Sequence, residues 1–232
     1  MILSEQARWK IAAAEAAANL VEDGMVVGLG SGSTASYFLA RLGRRIADEG
    51  LKISGIPTSE ETATQARDAK IPLTGFAENG RIDLAVDGAD EVEIGTLDLI
   101  KGRGGALLRE KIVAAASMRM VVVADETKLV ERLGSLVAVP VEVAQFGWQS
   151  TARSLEKIGG NPSLRLGADK KPFITDGGNF VMDCALGPMA KSKEVADRLD
   201  HVVGVVEHGL FLGFATEAMI GCREGVKILK RK

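Results

Sequence analysis

Residues 25–34 read MVVGLGSGST, an apolar run that stops in glycine and serine. MVVGLG reads as a short buried strand entering a glycine turn, and a helix follows from about Ser33 to Leu42. A strand, a turn and a helix in that order open a unit that the chain then repeats. Upstream, the alanine-rich run Lys10–Val21 reads as a helix ended by Gly24. Downstream, KISGIP is a second strand, and Thr58 with Glu61 has the capping-box spacing for a helix running to about Ala69. IDLAV is a third strand, GALLREKIVAAAS a helix that starts near Gly104, and MVVVA a fourth strand. Such alternation predicts an α/β fold with a parallel sheet covered on both faces.

After about residue 131 the texture changes. VAVPVEVAQF, a helix Trp148–Ile158, SLRLG, and FITDGGNFVMD turning at GGN are followed by a helix Lys191–Leu199. This pattern predicts a small α+β domain over 132–202, with the main domain made of 1–131 plus 203–232. VVGVVEHGLF and GVKILKRK are expected as strands returning to the main domain, with KILKRK also read as a solubilising tail.

The bulk composition narrows the function classes. The 232 residues are 46% hydrophobic and 26% charged, the balance of a soluble globular protein. A net charge of −2 supplies no basic field for nucleic acid, yet leaves room for a small anionic ligand. Cys184 and Cys222 lie far apart with no CxxC pair, which argues against a zinc site or a disulfide framework and fits a reducing compartment. Two histidines exclude a His-rich metal cluster. MILSEQARWK shows no export signal and no stretch is apolar enough to span a membrane, so a cytoplasmic protein with no membrane partner is expected.

In parallel sheets of this kind ligands bind beyond the carboxyl ends of the strands, where GSGST, DGAD and DETK stand. Gly30, Ser31, Gly32, Ser33 and Thr34 offer backbone N–H groups and hydroxyls at a helix N-terminus, a place suited to a monophosphate. No Gly-Lys-Ser/Thr follows as in a P-loop, and Ser33 replaces the third glycine of a dinucleotide fingerprint. Asp87 ends its strand and Asp90 lies three residues on, so both carboxylates can face one crevice with Gly88 and Ala89 between them. Lys101 offsets their repulsion, and Gly102, Gly104 and Gly105 let backbone amides approach a ligand. Glu110, early in the following helix, is a candidate base, Lys128 is a candidate phosphate contact or helix cap, and Lys10 reads as a solvated lysine.

Taken together, GLGSGSTA, IPTSEET, DGADEV, KGRGGALLREK, VVVADETKLV, PVEVAQFGW, ITDGGNFVMD and VVEHGLFLG resemble the type A ribose-5-phosphate isomerases, in that family's order and spacing. The resemblance implies a Rossmann-like main domain with a smaller α+β domain. It implies a cofactor-free and metal-free interconversion of D-ribose 5-phosphate and D-ribulose 5-phosphate through an enediolate, within the non-oxidative pentose phosphate pathway, by a homodimer or homotetramer. It assigns the general base to Glu110 and acid/base work to Asp87. Asp90 and Lys101 become active-site positions, and Ser33, Thr34, Lys10 and Lys128 substrate contacts. Arg103 interrupts the family's usual glycine run and would add a cation at that loop. A non-catalytic sugar-phosphate sensor and an acyl-CoA transferase are the competing readings.

Overall fold

The computed structural model describes residues 3–231; Met1 and Ile2 of the N-terminal stretch and Lys232 of the KILKRK tail lie outside the described residues. The helices are α1 Glu5–Ala18, α2 Ser33–Glu49, α3 Glu60–Asp68, α4 Leu107–Ala115, α5 Trp148–Lys157 and α6 Ser192–Asp200. The first strands are β1 Val26–Leu29, β2 Ser54–Pro57, β3 Leu84–Asp87, β4 Glu91–Glu93, β5 Leu99–Ile100, β6 Met120–Asp125 and β7 Leu129–Val130. The remainder are β8 Val139–Val143, β9 Pro162–Leu164, β10 Phe180–Cys184, β11 Val205–His208, β12 Leu210–Phe211, β13 Glu217–Cys222 and β14 Gly225–Lys230.

The main sheet runs β14-β13-β6-β3-β1-β2, parallel throughout except for the antiparallel edge strand β14. Its central strands β3 and β6 are buried on both faces, whereas the edge strand β14 is largely exposed. Along β6, Val121 and Val123 join the core beneath α1 and α2, while Met120, Val122 and Ala124 join the core beneath α4. A second, antiparallel sheet runs β11-β8-β10-β9 with its own core, and a small third sheet runs β12-β5-β4-β7.

Several local expectations shift. Helix α1 begins five residues before Lys10, because the Ser4 hydroxyl caps it by accepting the Ala7 N–H at 3.2 Å. Helix α2 continues through Gly43 to Glu49; a side chain at Gly43 would meet the Ala69 carbonyl at 2.7 Å, so glycine serves close packing there. Ser59, not Thr58, caps α3 by accepting the Thr62 N–H at 3.0 Å. Helix α4 starts at Leu107, since Gly102 and Gly105 hold φ of +99° and +81° and keep the chain in a loop. VVEH, expected as a strand of the main domain, forms β11 on the antiparallel sheet beside β8. EAMIGC, which carried no strand expectation, forms β13 between β6 and β14.

Candidate active site

From β1 the chain first adds β2 on one side and then β3 on the other. The direction of winding therefore reverses at β1, which opens a crevice at the carboxyl ends of β1 and β3. A cavity of about 370 Å³ occupies it, with the GSGST loop on one side and the loop before α4 on the other.

One end lies at the start of α2. Gly32 precedes α2 with φ of +88° and no side chain caps the helix, so the N–H groups of its first turn are left for a ligand. Ser33 and Thr34 line the cavity there with Lys10, whose Nζ lies 3.2 Å from Ser33 Oγ, and with Lys128. Ser31 also lines it, but its hydroxyl lies within 2.7–3.0 Å of the hydroxyls of Thr58, Ser59 and Thr62. That buried cluster ties the GSGST loop to the start of α3.

The opposite end gathers three buried ionisable groups. Lys101 Nζ lies 2.9 Å from Asp87 Oδ2 and 3.4 Å from Glu110 Oε2, and donates to the Gly88 carbonyl at 2.6 Å. Asp87 Oδ1 accepts the N–H groups of Ser31 at 3.0 Å and Gly88 at 2.7 Å. Glu110 Oε2 has no hydrogen-bond partner among the described residues, only the charge of Lys101. Burial, then the charge of Asp87, push the Glu110 carboxyl up to about 8 against the pull of Lys101. Burial also raises Asp87, again opposed by Lys101. Burial alone would lower the Lys101 pKa, but the two carboxylates outweigh it and hold the lysine charged.

Gly88, Ala89, Asp90, Gly102, Arg103 and Gly104 line the wall between the two ends. Two expected contacts do not. A side chain at Gly30 would meet Asp87 Oδ1 at 2.3 Å, and one at Gly105 would meet Phe173 at 2.3 Å, so these glycines admit neighbouring groups and do not border the cavity. Ala124 and Asp125 do border it without having been singled out; Asp125 accepts the Thr127 N–H at 3.1 Å and holds the turn that carries Lys128.

The charges around this site have separate employments. Glu91, fully buried, accepts the N–H groups of Gly134 at 2.6 Å and Val137 at 2.8 Å, and Glu93 accepts that of Leu133 at 3.2 Å. These acids hold a loop. On α4, Arg109 reaches Glu60 at 2.8 Å, Glu110 faces the cavity, and Lys111 reaches Glu207 Oε1 and the His208 carbonyl, each at 2.6 Å. Asp200, Glu207 and His208 form the one group among the described residues able to offer three metal-ligand atoms, and the Lys111 ammonium already lies against it.

The chain is similar to known proteins over nearly its whole length. The family model for ribose 5-phosphate isomerase A (phosphoriboisomerase A) matches residues 54–225. A ribose-5-phosphate isomerase A of Synechococcus is 50% identical over 222 residues, 96% of either chain. The structure of ribose 5-phosphate isomerase A from Methanocaldococcus jannaschii superposes with a TM-score of 0.93 at 42% identity, covering 97% of this chain and 99% of that one. A D-ribose-5-phosphate isomerase in complex with phospho-erythronic acid superposes with a TM-score of 0.95 at 38% identity, covering 98% and 100%. Matched by the family model over most of its length and half identical to a relative over 96% of the chain, the protein belongs to the ribose 5-phosphate isomerase A family.

Proposed function

We propose that the chain interconverts D-ribose 5-phosphate and D-ribulose 5-phosphate by carrying one proton between C2 and C1, with Glu110 as the base. The observation that supports this most is the Glu110 carboxylate, buried beside the cleft with one oxygen lacking a hydrogen-bond partner among the described residues. The phosphate sits on the first turn of α2 with Lys10 and Lys128, which directs the sugar's other end toward Glu110. Glu110 removes the proton at C2 of the open-chain aldose; electrons move onto the C1 oxygen, giving an enediolate. Lys101 and the loop amides stabilise that oxygen, since donors fixed in a water-poor site act most strongly where charge develops. Asp87, raised by burial, carries a proton between the ring or carbonyl oxygens, and Glu110 returns its own proton to C1. The relative solved with phospho-erythronic acid supports the picture, because that ligand joins a phosphate to a carboxylate with the charge and planarity of an enediolate end.

Conversion measured with EDTA present across pH 6–9.5 is the test. A base must be unprotonated, and Glu110 is pushed up to about 8, so kcat/KM is expected to rise with pH through about 8 and to fall roughly tenfold per unit below it. A rate that does not change with pH between 6 and 9 would remove a carboxyl raised to about 8 from the role of base. Binding of the sugar phosphate without conversion would favour the sensor reading.

We also read the chain as a cytoplasmic homodimer or homotetramer. Both cysteines are free and buried, and no helix among the described residues is long and apolar enough to cross a membrane. Phe146 and Val203, 98% and 91% exposed, stand on loops joined by the Ala144 N–H to the Gly204 carbonyl, and an apolar pair of this kind supports contact between copies. Light scattering is expected to give the mass of two or four chains; a single-chain mass would remove this reading.

A further inference from the structure

We infer that Arg165, on the antiparallel domain, is a positioning residue for the isomerisation, fixing which way the peptide groups of the Lys101–Gly105 loop point. The inference rests on the isomerase reading above. Arg165 does not border the active-site cavity; it lines a neighbouring cleft that shares Asp90 and Arg103 with it. Its guanidinium is anchored at one edge on Asp183 of β10, through Nε to Oδ2 at 2.9 Å and through Nη2 to Oδ1. The remaining nitrogen, Nη1, donates to the Gly102 carbonyl at 2.9 Å and to the Arg103 carbonyl at 3.0 Å. Because the guanidinium is a rigid plane, the two-point grip on Asp183 fixes where Nη1 stands.

The consequence follows from peptide geometry. In a trans peptide the C=O and the N–H point in opposite directions, and the described residues contain no cis bond. The peptide whose carbonyl belongs to Gly102 carries the Arg103 N–H, which donates to Asp90 Oδ2 at 3.0 Å. The peptide whose carbonyl belongs to Arg103 carries the Gly104 N–H, which has no hydrogen-bond partner among the described residues, and Gly104 lines the cavity. Arg165 thus pins two successive carbonyls on the outer side of the loop and leaves one N–H to hold Asp90 and the next for the substrate. The loop needs such a grip, because glycines at 102, 104 and 105 give it little conformational preference of its own. Phe173, packed against Gly105 from the same domain, is a second support.

A donor that acts where charge develops contributes to turnover more than to ground-state binding. Removing one such donor costs about 10²–10³-fold in kcat, and loosening one is expected to cost about 10–100-fold. The phosphate end, on Lys10, Ser33 and Thr34, is untouched by Arg165. The experiment is steady-state kinetics of the parent, Arg165→Met and Arg165→Ala, with inorganic phosphate as a competitive inhibitor and guanidinium chloride added back at millimolar concentration. Expected are a kcat loss of about 10–100-fold, phosphate inhibition within about twofold of the parent, and saturable recovery of Arg165→Ala by guanidinium. A folded Arg165→Met with parental kcat overturns the inference, as does weakening of phosphate inhibition in step with kcat, which would mean a collapsed cleft. Should Arg165→Met fail to fold, Asp183→Asn decides: it keeps the shape of the anchor but loosens it, and must show the same kcat-selective loss. If the parent itself fails to convert ribose 5-phosphate, the isomerase reading falls and takes the inference with it; if the parent converts and the variants match it, only the inference falls.

Discussion

Replacing Glu110 with alanine is expected to lower kcat by at least about 10²–10⁴-fold while substrate binding is largely retained. The separation follows from the layout of the cleft. The proposed phosphate end is the start of α2 with Lys10 and Lys128, and Glu110 lies apart from it, so its removal is expected to leave affinity largely in place. The fold should tolerate the change as well. Its Oε2 makes no hydrogen bond among the described residues, and losing it takes one raised, buried acid away from Asp87. Side-by-side kinetics of the parent and Glu110→Ala check this; near-normal turnover would sink the assignment of the base. Glu110→Gln is the stricter variant, since it keeps the volume and removes only the ability to take a proton.

Lys101→Met is expected to abolish measurable turnover and to destabilise the protein by about 3–5 kcal/mol above pH 8, because it takes from two buried carboxylates the one cation paired with them among the described residues. The sign with pH is fixed by the carboxyls. Without the lysine both pKa values climb further, so at low pH each group takes up a proton and avoids the cost of a buried charge. As pH rises the folded protein must ionise them in place, and the deficit grows. Thermal unfolding of parent and variant at pH 6 and pH 9 is the measurement: the Tm gap should be wider at pH 9. An equal gap at both values would mean that the loss comes from packing, for instance from the Lys101 contact with the Phe211 ring at 5.4 Å, and not from electrostatics.

How much of this was legible in the sequence depended on the range of the interaction involved. The strand-turn-helix alternation is local, and the main parallel sheet followed from it. Asp87, Asp90 and Lys101 drew notice because each follows or ends a strand beside glycine, and Glu110 because its helix begins just after the glycine loop. The destination of VVEH was not. Its pattern says that a strand forms there, whereas pairing with β8 is decided by residues more than sixty positions away. The acids of DGADEVE looked alike on paper, yet Glu91 and Glu93 hold the loop at residues 133–137 while Asp87 faces Lys101. Gly30, Gly43 and Gly105 share one reason for being glycine, the close approach of Asp87, Ala69 and Phe173, and no local pattern announces which neighbour a missing side chain makes room for. Arg165 was invisible for the same cause: the two loop carbonyls it holds lie about sixty residues upstream.

The fan of charge on α4 bears on how this protein can change over evolutionary time. Arg109, Glu110 and Lys111 are consecutive, and a helix turns about 100° per residue, so one turn sends them to three different elements. A point substitution touches one spoke of the fan. A single-residue insertion or deletion between Gly105 and Arg109 rotates all of them together, bringing an arginine or a lysine toward the place of the base and swinging the carboxylate against α3 or β11. Length in that short connection is therefore under tighter constraint than identity. Variation there is expected to proceed by exchange of side chains, with gaps confined to surface turns such as the one at Lys170.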